Sequence, residues 1–87
     1  MSDDKICYVY ILECADKTLY TGWTVDIETR IEMHNKGKAS KYTRARLPVK
    51  LAYCETHEDK ISAQKREWQI KQLSRKEKLK LIKKTLL

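Results

Sequence analysis

The sequence predicts a small α+β domain: a three-stranded, mostly antiparallel sheet flanked by helices, with a basic helix at the C-terminal end. Three observations predict this class. An apolar run at residues 6–14 is followed within a few residues by a second run at 19–24, which is the spacing of a hairpin. A third apolar run precedes two amphipathic segments. The 87 residues leave room for one domain with one modest core.

The first predicted strand, residues 6–14, is rich in β-branched and aromatic residues and apolar on both faces. This pattern indicates a strand in the middle of the sheet. Residues 15–18 form a plausible hairpin turn, and residues 19–24 return as the second strand. A third strand is predicted at residues 49–54, directly after Pro48.

The first predicted helix runs from about residue 26 to residue 36. Its N-cap is Thr24 or Asp26, and Gly37 is placed to end it as the C′ residue.

The C-terminal part of the chain is predicted to be helical. A long helix covers about 59–73, where the core of the domain (about 6–73) ends. The segment Ser74-Arg75-Lys76-Glu77 matches a capping box and opens the basic helix at about 75–85, still within one domain of residues 1–87. One face of this last helix is apolar and is a candidate for binding a protein partner: Leu79, Ile82 and Leu86.

The formal net charge of +7 is unevenly placed. Residues 1–59 carry nine Lys and Arg against ten Asp and Glu, whereas residues 60–87 carry ten against two. Such clustering is typical of proteins that bind a polyanion such as DNA, although a solvated lysine-rich helix has the same composition. A second cluster in residues 36–50 contains no acid: Lys36, Lys38, Lys41, Arg44, Arg46 and Lys50.

Several classes of protein are not expected. Cys7, Cys14 and Cys54 include no Cys-x-x-Cys pair, so we expect small buried hydrophobes in a reducing compartment rather than a zinc site or disulfides. No segment approaches the roughly 20 apolar residues of a membrane-spanning helix. The acidic first five residues precede too short an apolar run for a signal peptide, so we expect a cytoplasmic protein without membrane contact.

Two polar residues accompany the apolar stripe of the first helix. Arg30 and His34 are four residues apart and therefore share a helix face with Ile27 and Ile31. They are candidate site residues, but for the two positions taken alone the favoured explanation is structural: an arginine with a buried stem and a histidine at the edge of the core with a backbone partner.

Glu67 poses the same question on the long helix, because it lies on the side that carries Ala63 and Ile70. A carboxylate there must be paired, protonated or bound to a metal ion. A surface ion pair with Lys71 is the simpler alternative.

The aromatic residues and the second histidine have ordinary structural explanations. Tyr10 and Tyr20 lie on paired strands, where aromatic side chains pack across the strands. Trp23 and Trp68 are expected to lie in the core or to cover it. His57 is expected to be a loop residue at the end of the third strand.

These residues together resemble the GIY-YIG nuclease family over about residues 6–73. The matching positions are Tyr8-Val9-Tyr10, Tyr20-Thr21-Gly22, Arg30, His34 and Glu67. The sequence is most similar to small stand-alone bacterial members. It also resembles the nuclease domain of the eukaryotic structure-specific endonuclease catalytic subunit. The matching residues are Gly22-Trp23-Thr24, Arg30, His34-Asn35, Ala63 and Glu67-Trp68.

The sequence departs from the family's pattern in three ways. An asparagine that the excision-repair relatives carry downstream of the glutamate has no clear counterpart, since the residues there are Lys78, Leu79 and Lys80. Tyr8 stands where the family usually has glycine, and Trp23 stands where some repair and restriction members have a lysine.

The resemblance implies a metal-dependent endonuclease that hydrolyses DNA, is directed by DNA structure and is linked to repair or recombination. Glu67 would bind Mg²⁺ or Mn²⁺, and Arg30 would contact the phosphate. Tyr10 or Tyr20 would orient or deprotonate the attacking water, and His34 would relay the proton.

DNA would be held by glycine and by cations. Gly22 would let the backbone approach the substrate. The basic segment would bind the DNA backbone through Lys36, Lys38, Lys41, Arg44 and Arg46.

Two other functions stay open. A non-catalytic nucleic-acid-binding module with the same fold is favoured by Trp23 in the lysine position. A subunit that depends on a partner would dock through the last helix.

Overall fold

The computed structural model describes residues 6–85. The predicted α+β class is confirmed, and the short helix α2 inside the basic segment is an addition that the sequence analysis did not predict. The elements in chain order are β1 (Cys7–Glu13), β2 (Leu19–Thr24), α1 (Ile27–Asn35), α2 (Lys41–Arg44), β3 (Lys50–His57), α3 (Lys60–Lys71) and α4 (Arg75–Thr85).

The sheet has the strand order β2-β1-β3, with both neighbours antiparallel to the central β1. The central position predicted for the first strand is therefore confirmed. Register places Tyr10 of β1 opposite Gly22 of β2 and opposite Cys54 of β3. This pairing brings the two sequence triplets side by side.

Helices cover both faces of the sheet, which explains why β1 is apolar on both sides. One cluster joins β1 to α3 and contains Cys7, Val9, Ile11, Ala63 and Ile70. The other cluster joins β1 to α1 and the segment before β3, through Tyr10, Leu12, Cys14, Ile27, Ile31 and Val49.

The helix ends follow the predicted capping chemistry. The Asp26 carboxylate accepts a hydrogen bond from the Thr29 amide at 3.1 Å, so Asp26 is the N-cap of α1. Gly37 follows that helix with a φ of 75°, as a C′ glycine requires. Ser74 and Glu77 cap α4 reciprocally, at 2.9 and 3.1 Å.

Helix α4 packs on the domain through its apolar residues. Leu81 and Ile82 contact the β1–α3 cluster, whereas Leu79 is exposed. Leu86, which was predicted to extend this face, lies outside the described residues. The predicted partner-binding face therefore offers Leu79 alone among its described members, because Ile82 is turned to the core.

Some expectations about individual side chains were wrong. Trp23 packs on the β1–α3 cluster as expected, but Trp68 is 64% exposed and does not cover the core. His57 belongs to β3 rather than to a loop. Cys7 and Cys14 are buried as expected and Cys54 is only partly buried; all three are free thiols. Within residues 6–85, no helix is long and apolar enough to cross a membrane.

Candidate active site

Tyr10 and His34 form the buried centre of the site. The Tyr10 hydroxyl lies 3.0 Å from Nε2 of His34, and each residue is only 1% exposed. The central strand supplies the tyrosine, and the last turn of α1 supplies the histidine. The predicted inward face of the first helix is therefore occupied by His34 as well as by Ile27 and Ile31.

Thr43 completes this buried group and was missed by the sequence analysis. Its Oγ1 lies 2.8 Å from Nδ1 of His34, and the residue is fully buried. The same hydroxyl donates to the Ser40 carbonyl oxygen at 3.4 Å. The sequence contained one signal for this placement of Thr43. Ser40 is a typical N-cap residue, and Thr43 is the buried residue of the short helix α2 that Ser40 caps.

Tyr20 lies beside this group but is less buried. Its ring centroid is 5.2 Å from that of His34 and 6.5 Å from that of Tyr10. It also stacks on Tyr42 at 6.0 Å, and the Arg46 guanidinium lies 3.9 Å from the Tyr42 ring centroid. No hydrogen-bond partner for the Tyr20 hydroxyl is found among residues 6–85. Tyr20 is thus the site tyrosine whose hydroxyl is free to contact a ligand.

Gly22 makes room for the two tyrosines. A Cβ at this position would lie 2.7 Å from the Tyr10 hydroxyl oxygen and 3.3 Å from Cε2 of Tyr20. The glycine is thus required by packing inside the protein. Its predicted role in letting substrate approach the backbone stays a prediction.

The electrostatics of the centre favour neutral side chains. Burial, followed by the nearby Tyr20, raises the pKa of Tyr10 well above its usual range, and the positive charge of Arg30 opposes this only in part. Burial and then Arg30 lower the pKa of His34. Moving a proton from Tyr10 to His34 would create two buried charges, which both shifts oppose.

Arg30 is exposed on the same helix and lines two neighbouring clefts. One, of about 360 Å³, also contains Thr24, Met33 and Lys38. The other, of about 340 Å³, contains Trp23 and Lys60. Three cations therefore line this surface against one carboxylate, that of Asp26, which caps α1 and accepts hydrogen bonds from Thr29; the excess of positive charge suits an anionic ligand. Lys60 was not among the residues predicted to bind substrate.

Glu67 lies on α3 at the edge of the site. Its carboxylate is 3.3 Å from Nζ of Lys71, so the simpler alternative of a surface ion pair is present. Its negative charge is also the smallest of the causes that raise the pKa of Tyr10, after burial and Tyr20.

The donor set around Glu67 is small. The part of the chain that the structure describes has no group of three or more His, Cys, Asp or Glu side chains that could hold a metal ion. A single carboxylate does not suit structural zinc, but it does suit Mg²⁺, which keeps several waters and binds through one or two carboxylates and substrate phosphate. The residues present fit that group through Glu67.

The basic segment divides into free and engaged cations. Five of its side chains are exposed: Lys36, Lys38, Lys41, Arg44 and Lys50. Lys38 lines the cleft with Arg30, and Lys50 pairs with the Glu13 carboxylate at 3.3 Å. Arg46 instead donates to the Asp16 carboxylate at 3.0 Å and to the Tyr42 carbonyl oxygen at 2.9 Å. Arg46 therefore holds its own loop in place, in addition to any contact with DNA.

A second polar cluster, between β3 and α3, was also missed. Glu55 lies 2.6 Å from Nε2 of His57, accepts a hydrogen bond from Arg66 at 2.9 Å and another from the Tyr53 hydroxyl. Burial alone would raise the pKa of Glu55, but these hydrogen bonds outweigh it and hold the pKa below its usual value. Among residues 6–85, none of the hydrogen bonds of this cluster reaches Tyr10, His34 or Thr43.

Comparisons with known proteins show the family to which this chain is similar. The family model described as the GIY-YIG catalytic domain matches residues 6–80. A UPF0213 protein from Syntrophus aciditrophicus is 61% identical over 77 residues, which span 87% of this chain and 88% of that protein. A UPF0213 protein from Clostridium perfringens is 59% identical over 75 residues, which span 86% of this chain and 81% of that protein.

Two solved structures are also similar to this chain. The solution NMR structure of a UPF0213 protein from Bacillus halodurans has 44% identity and a TM-score of 0.59, and the match covers 90% of this chain and 83% of that one. The solution NMR structure of a protein from E. faecalis has 37% identity and a TM-score of 0.64, with 98% and 91% covered.

Proposed function

The chain belongs to the GIY-YIG catalytic domain family, among its small bacterial UPF0213 members, and from this we propose that it is a divalent-metal-dependent endonuclease acting on DNA. Membership of the family indicates nuclease chemistry. The observation that carries the proposal is the convergence of Tyr10, Tyr20 and His34 from three elements, with the exposed Arg30 on the same helix as His34.

Arg30 would bind the scissile phosphate. Its guanidinium is exposed, and its planar donors can contact two phosphate oxygens at once. Lys38 and Lys60 in the adjoining clefts would bind the flanking phosphates.

Tyr20 would orient the attacking water. Its hydroxyl lacks a partner in the described chain and its ring is only partly buried, whereas the Tyr10 hydroxyl is already engaged with His34. Hydrogen-bond reach to the attacking oxygen is the first requirement for such a group. Tyr10 and His34 would act as a neutral pair that holds the Tyr20 ring, rather than as a proton relay.

Glu67 would hold Mg²⁺ or Mn²⁺ after giving up its contact with Lys71. When bound there, the ion supplies neutralisation of charge on the phosphate and on the leaving 3′ oxygen. Lys71 would then be free to contact the DNA backbone.

The surface beside Glu67 favours DNA with unpaired nucleotides, as in repair or recombination intermediates. Trp68 follows Glu67 in the chain and is 64% exposed, next to Lys71 on the same side of α3. Exposed aromatic rings among cations are typical platforms for unpaired bases.

A non-catalytic DNA-binding module is the second candidate, and two observations favour it. Lys71 already occupies the Glu67 carboxylate, and Trp23 packs on the core in the position where some relatives carry a lysine. This candidate predicts binding without cleavage in any divalent ion.

The deciding experiment is cleavage of end-labelled duplex, single-stranded, flap, fork and four-way-junction DNAs with Mg²⁺ or Mn²⁺. Wild type is compared with Glu67→Ala and with Glu58→Ala, which removes an exposed glutamate just before α3. The proposal expects metal-dependent cuts that vanish in Glu67→Ala and persist in Glu58→Ala. Equal cleavage by wild type and Glu67→Ala would assign the activity to a contaminant or to another site.

A further inference from the structure

Thr43 is fully buried against His34, and no role has been assigned to it. We propose that Thr43 is a positioning residue that fixes the tautomer of His34, with the proton on Nδ1 and with Nε2 accepting the hydrogen of the Tyr10 hydroxyl. Its consequence for catalysis rests on the proposed nuclease function.

The hydrogen bonds that link Tyr10, His34 and Thr43 can run in one direction in which every donor has an acceptor. If the Tyr10 hydroxyl donates to Nε2 of His34, Nδ1–H donates to Thr43 Oγ1, and the Thr43 hydroxyl donates to the Ser40 carbonyl. Every donor along this line then has an acceptor. Neutral histidine has one donor and one acceptor nitrogen, which matches this arrangement.

The opposite direction leaves a buried donor without a partner. If Nε2 of His34 carried the proton, it would donate to the Tyr10 oxygen, and the Tyr10 hydrogen would need another acceptor. Residues 6–85 offer none to this hydroxyl, and Tyr10 is almost completely buried. A buried unsatisfied donor is costly, so the first direction is preferred.

The charge state of the histidine is consistent with this preference. In the protonated form both ring nitrogens donate, and the Tyr10 hydrogen again loses its acceptor. Arg30, His34's neighbour on α1, is the positive group that faces it, and Tyr10, Tyr20 and Thr43 contribute no positive charge from the other elements. The neutral tautomer is the state that the surrounding side chains accept.

Thr43 also connects the site to the basic segment of residues 36–50, in which it lies. Tyr42 precedes it on α2 and stacks on Tyr20, so the helix that sets the tautomer of His34 also supports the ring of Tyr20. Loss of the Thr43 hydroxyl is therefore expected to loosen the contacts of the Tyr20 ring with His34 and with Tyr42.

The test combines a spectroscopic measurement with kinetics. Long-range ¹H–¹⁵N correlation spectra of the histidine ring nitrogens report the tautomer directly and require no DNA. Wild type is compared with Thr43→Val, which keeps the shape and removes the hydroxyl, and with Thr43→Ser, which keeps the hydroxyl. Thr56→Val, at an exposed position on β3, controls for the substitution itself.

We expect the Nδ1–H tautomer of His34 in wild type, Thr43→Ser and Thr56→Val, and loss of that single tautomer in Thr43→Val. In cleavage assays kcat should fall about 2- to 13-fold in Thr43→Val with KM nearly unchanged, the effect of one lost hydrogen bond. Thr43→Ser should keep most of the wild-type kcat.

An Nε2–H tautomer in wild type, or an unchanged His34 spectrum in Thr43→Val, would overturn the inference. An unchanged kcat in Thr43→Val would overturn its catalytic consequence. If no preparation cleaves DNA in any metal ion, the proposed function fails, but the spectra of the same samples still decide the tautomer.

Discussion

Gly22 lies directly opposite Tyr10 on the neighbouring strand, and the Tyr10 hydroxyl occupies the space where a side chain at position 22 would begin. The second triplet of the sequence motif thus accommodates the tyrosine of the first. Their dependence on each other is steric, since a Cβ would meet the oxygen at 2.7 Å and Cζ at 2.8 Å.

The first prediction concerns Gly22→Ala. We expect it to displace the Tyr10 ring, weaken the contact with His34 and cost about 1–3 kcal/mol of unfolding free energy, as overpacking of a core does. Urea unfolding measures the stability, and cleavage assays on the same samples measure the activity. An unchanged urea midpoint together with unchanged cleavage would mean that the Tyr10 ring does not lie over Gly22.

The second prediction separates the two tyrosines. Tyr10→Phe leaves Nε2 of His34 buried without a partner and should destabilise the protein by about 1–3 kcal/mol. Tyr20→Phe removes a hydroxyl without a partner in residues 6–85 and should leave stability nearly unchanged. It should nevertheless lower kcat by about 10²–10⁴-fold, the contribution of a group that acts on the attacking water. Full activity in Tyr20→Phe would transfer that role to Tyr10.

The third prediction concerns pH. Because burial lowers the pKa of His34 below its usual value of 6.5, the unfolded chain binds more protons than the folded protein in the window below that value. Stability should therefore fall as pH drops through about 6.5 towards the lowered pKa of the folded state, and then level off as far as His34 is concerned.

Urea unfolding at steps between about pH 5 and pH 7.5 measures this dependence. Replacing His34 by Gln removes the titrating group and should flatten the curve. His57→Gln is the matched control and should keep the slope. A slope that survives in His34→Gln but disappears in His57→Gln would assign the pH dependence to the Glu55 cluster instead.

The features that sequence analysis predicted correctly depend on local pattern. The central position of β1 followed from its apolar residues on both faces, and the Asp26 cap, Gly37 and the Ser74–Glu77 box followed from capping chemistry. The spacing of the first helix placed Arg30 and His34 on the face of Ile27 and Ile31, and of the two polar residues only His34 is buried there, whereas Arg30 is exposed.

The features that it missed depend on contacts between distant segments. Thr43 belongs to a four-residue helix without hydrophobic periodicity, and its importance arises because Ser40 turns it towards His34. The Glu55 cluster forms because α3 packs beside β3 and brings Arg66 to the Glu55 carboxylate, a contact between segments that are separate in the sequence. Trp68 was predicted to lie in or over the core, but it is exposed. The sequence around a tryptophan does not distinguish an exposed indole from a buried one.

The fourth prediction contrasts two arginines of the basic segment. Arg44 is exposed, and Arg44→Ala should weaken DNA binding and reduce the salt slope of the binding constant by about one. Arg46 is held by Asp16 and Tyr42, so Arg46→Ala should loosen α2 and lower the unfolding midpoint. Binding isotherms at several salt concentrations and thermal unfolding make the comparison. Equal salt slopes in wild type and Arg44→Ala would remove Arg44 from the DNA interface.

The last prediction tests the exposed indole beside the proposed metal ligand. Trp68→Ala should weaken binding to DNA with unpaired nucleotides by about 5- to 150-fold, the range expected for one stacked base, and should leave fully paired duplex within about twofold. Ile61 provides the matched control, because it lies two helical turns earlier on the same face and is even more exposed, but has no aromatic ring. Ile61→Ala should bind both substrates as wild type does.

If both variants lost affinity equally, or if both instead reduced self-association in sedimentation experiments, the face would be an apolar contact surface and not a stacking platform. Since Trp68 is not packed in the core, Trp68→Ala should unfold at nearly the wild-type temperature, so that a binding defect reflects the surface and not the fold.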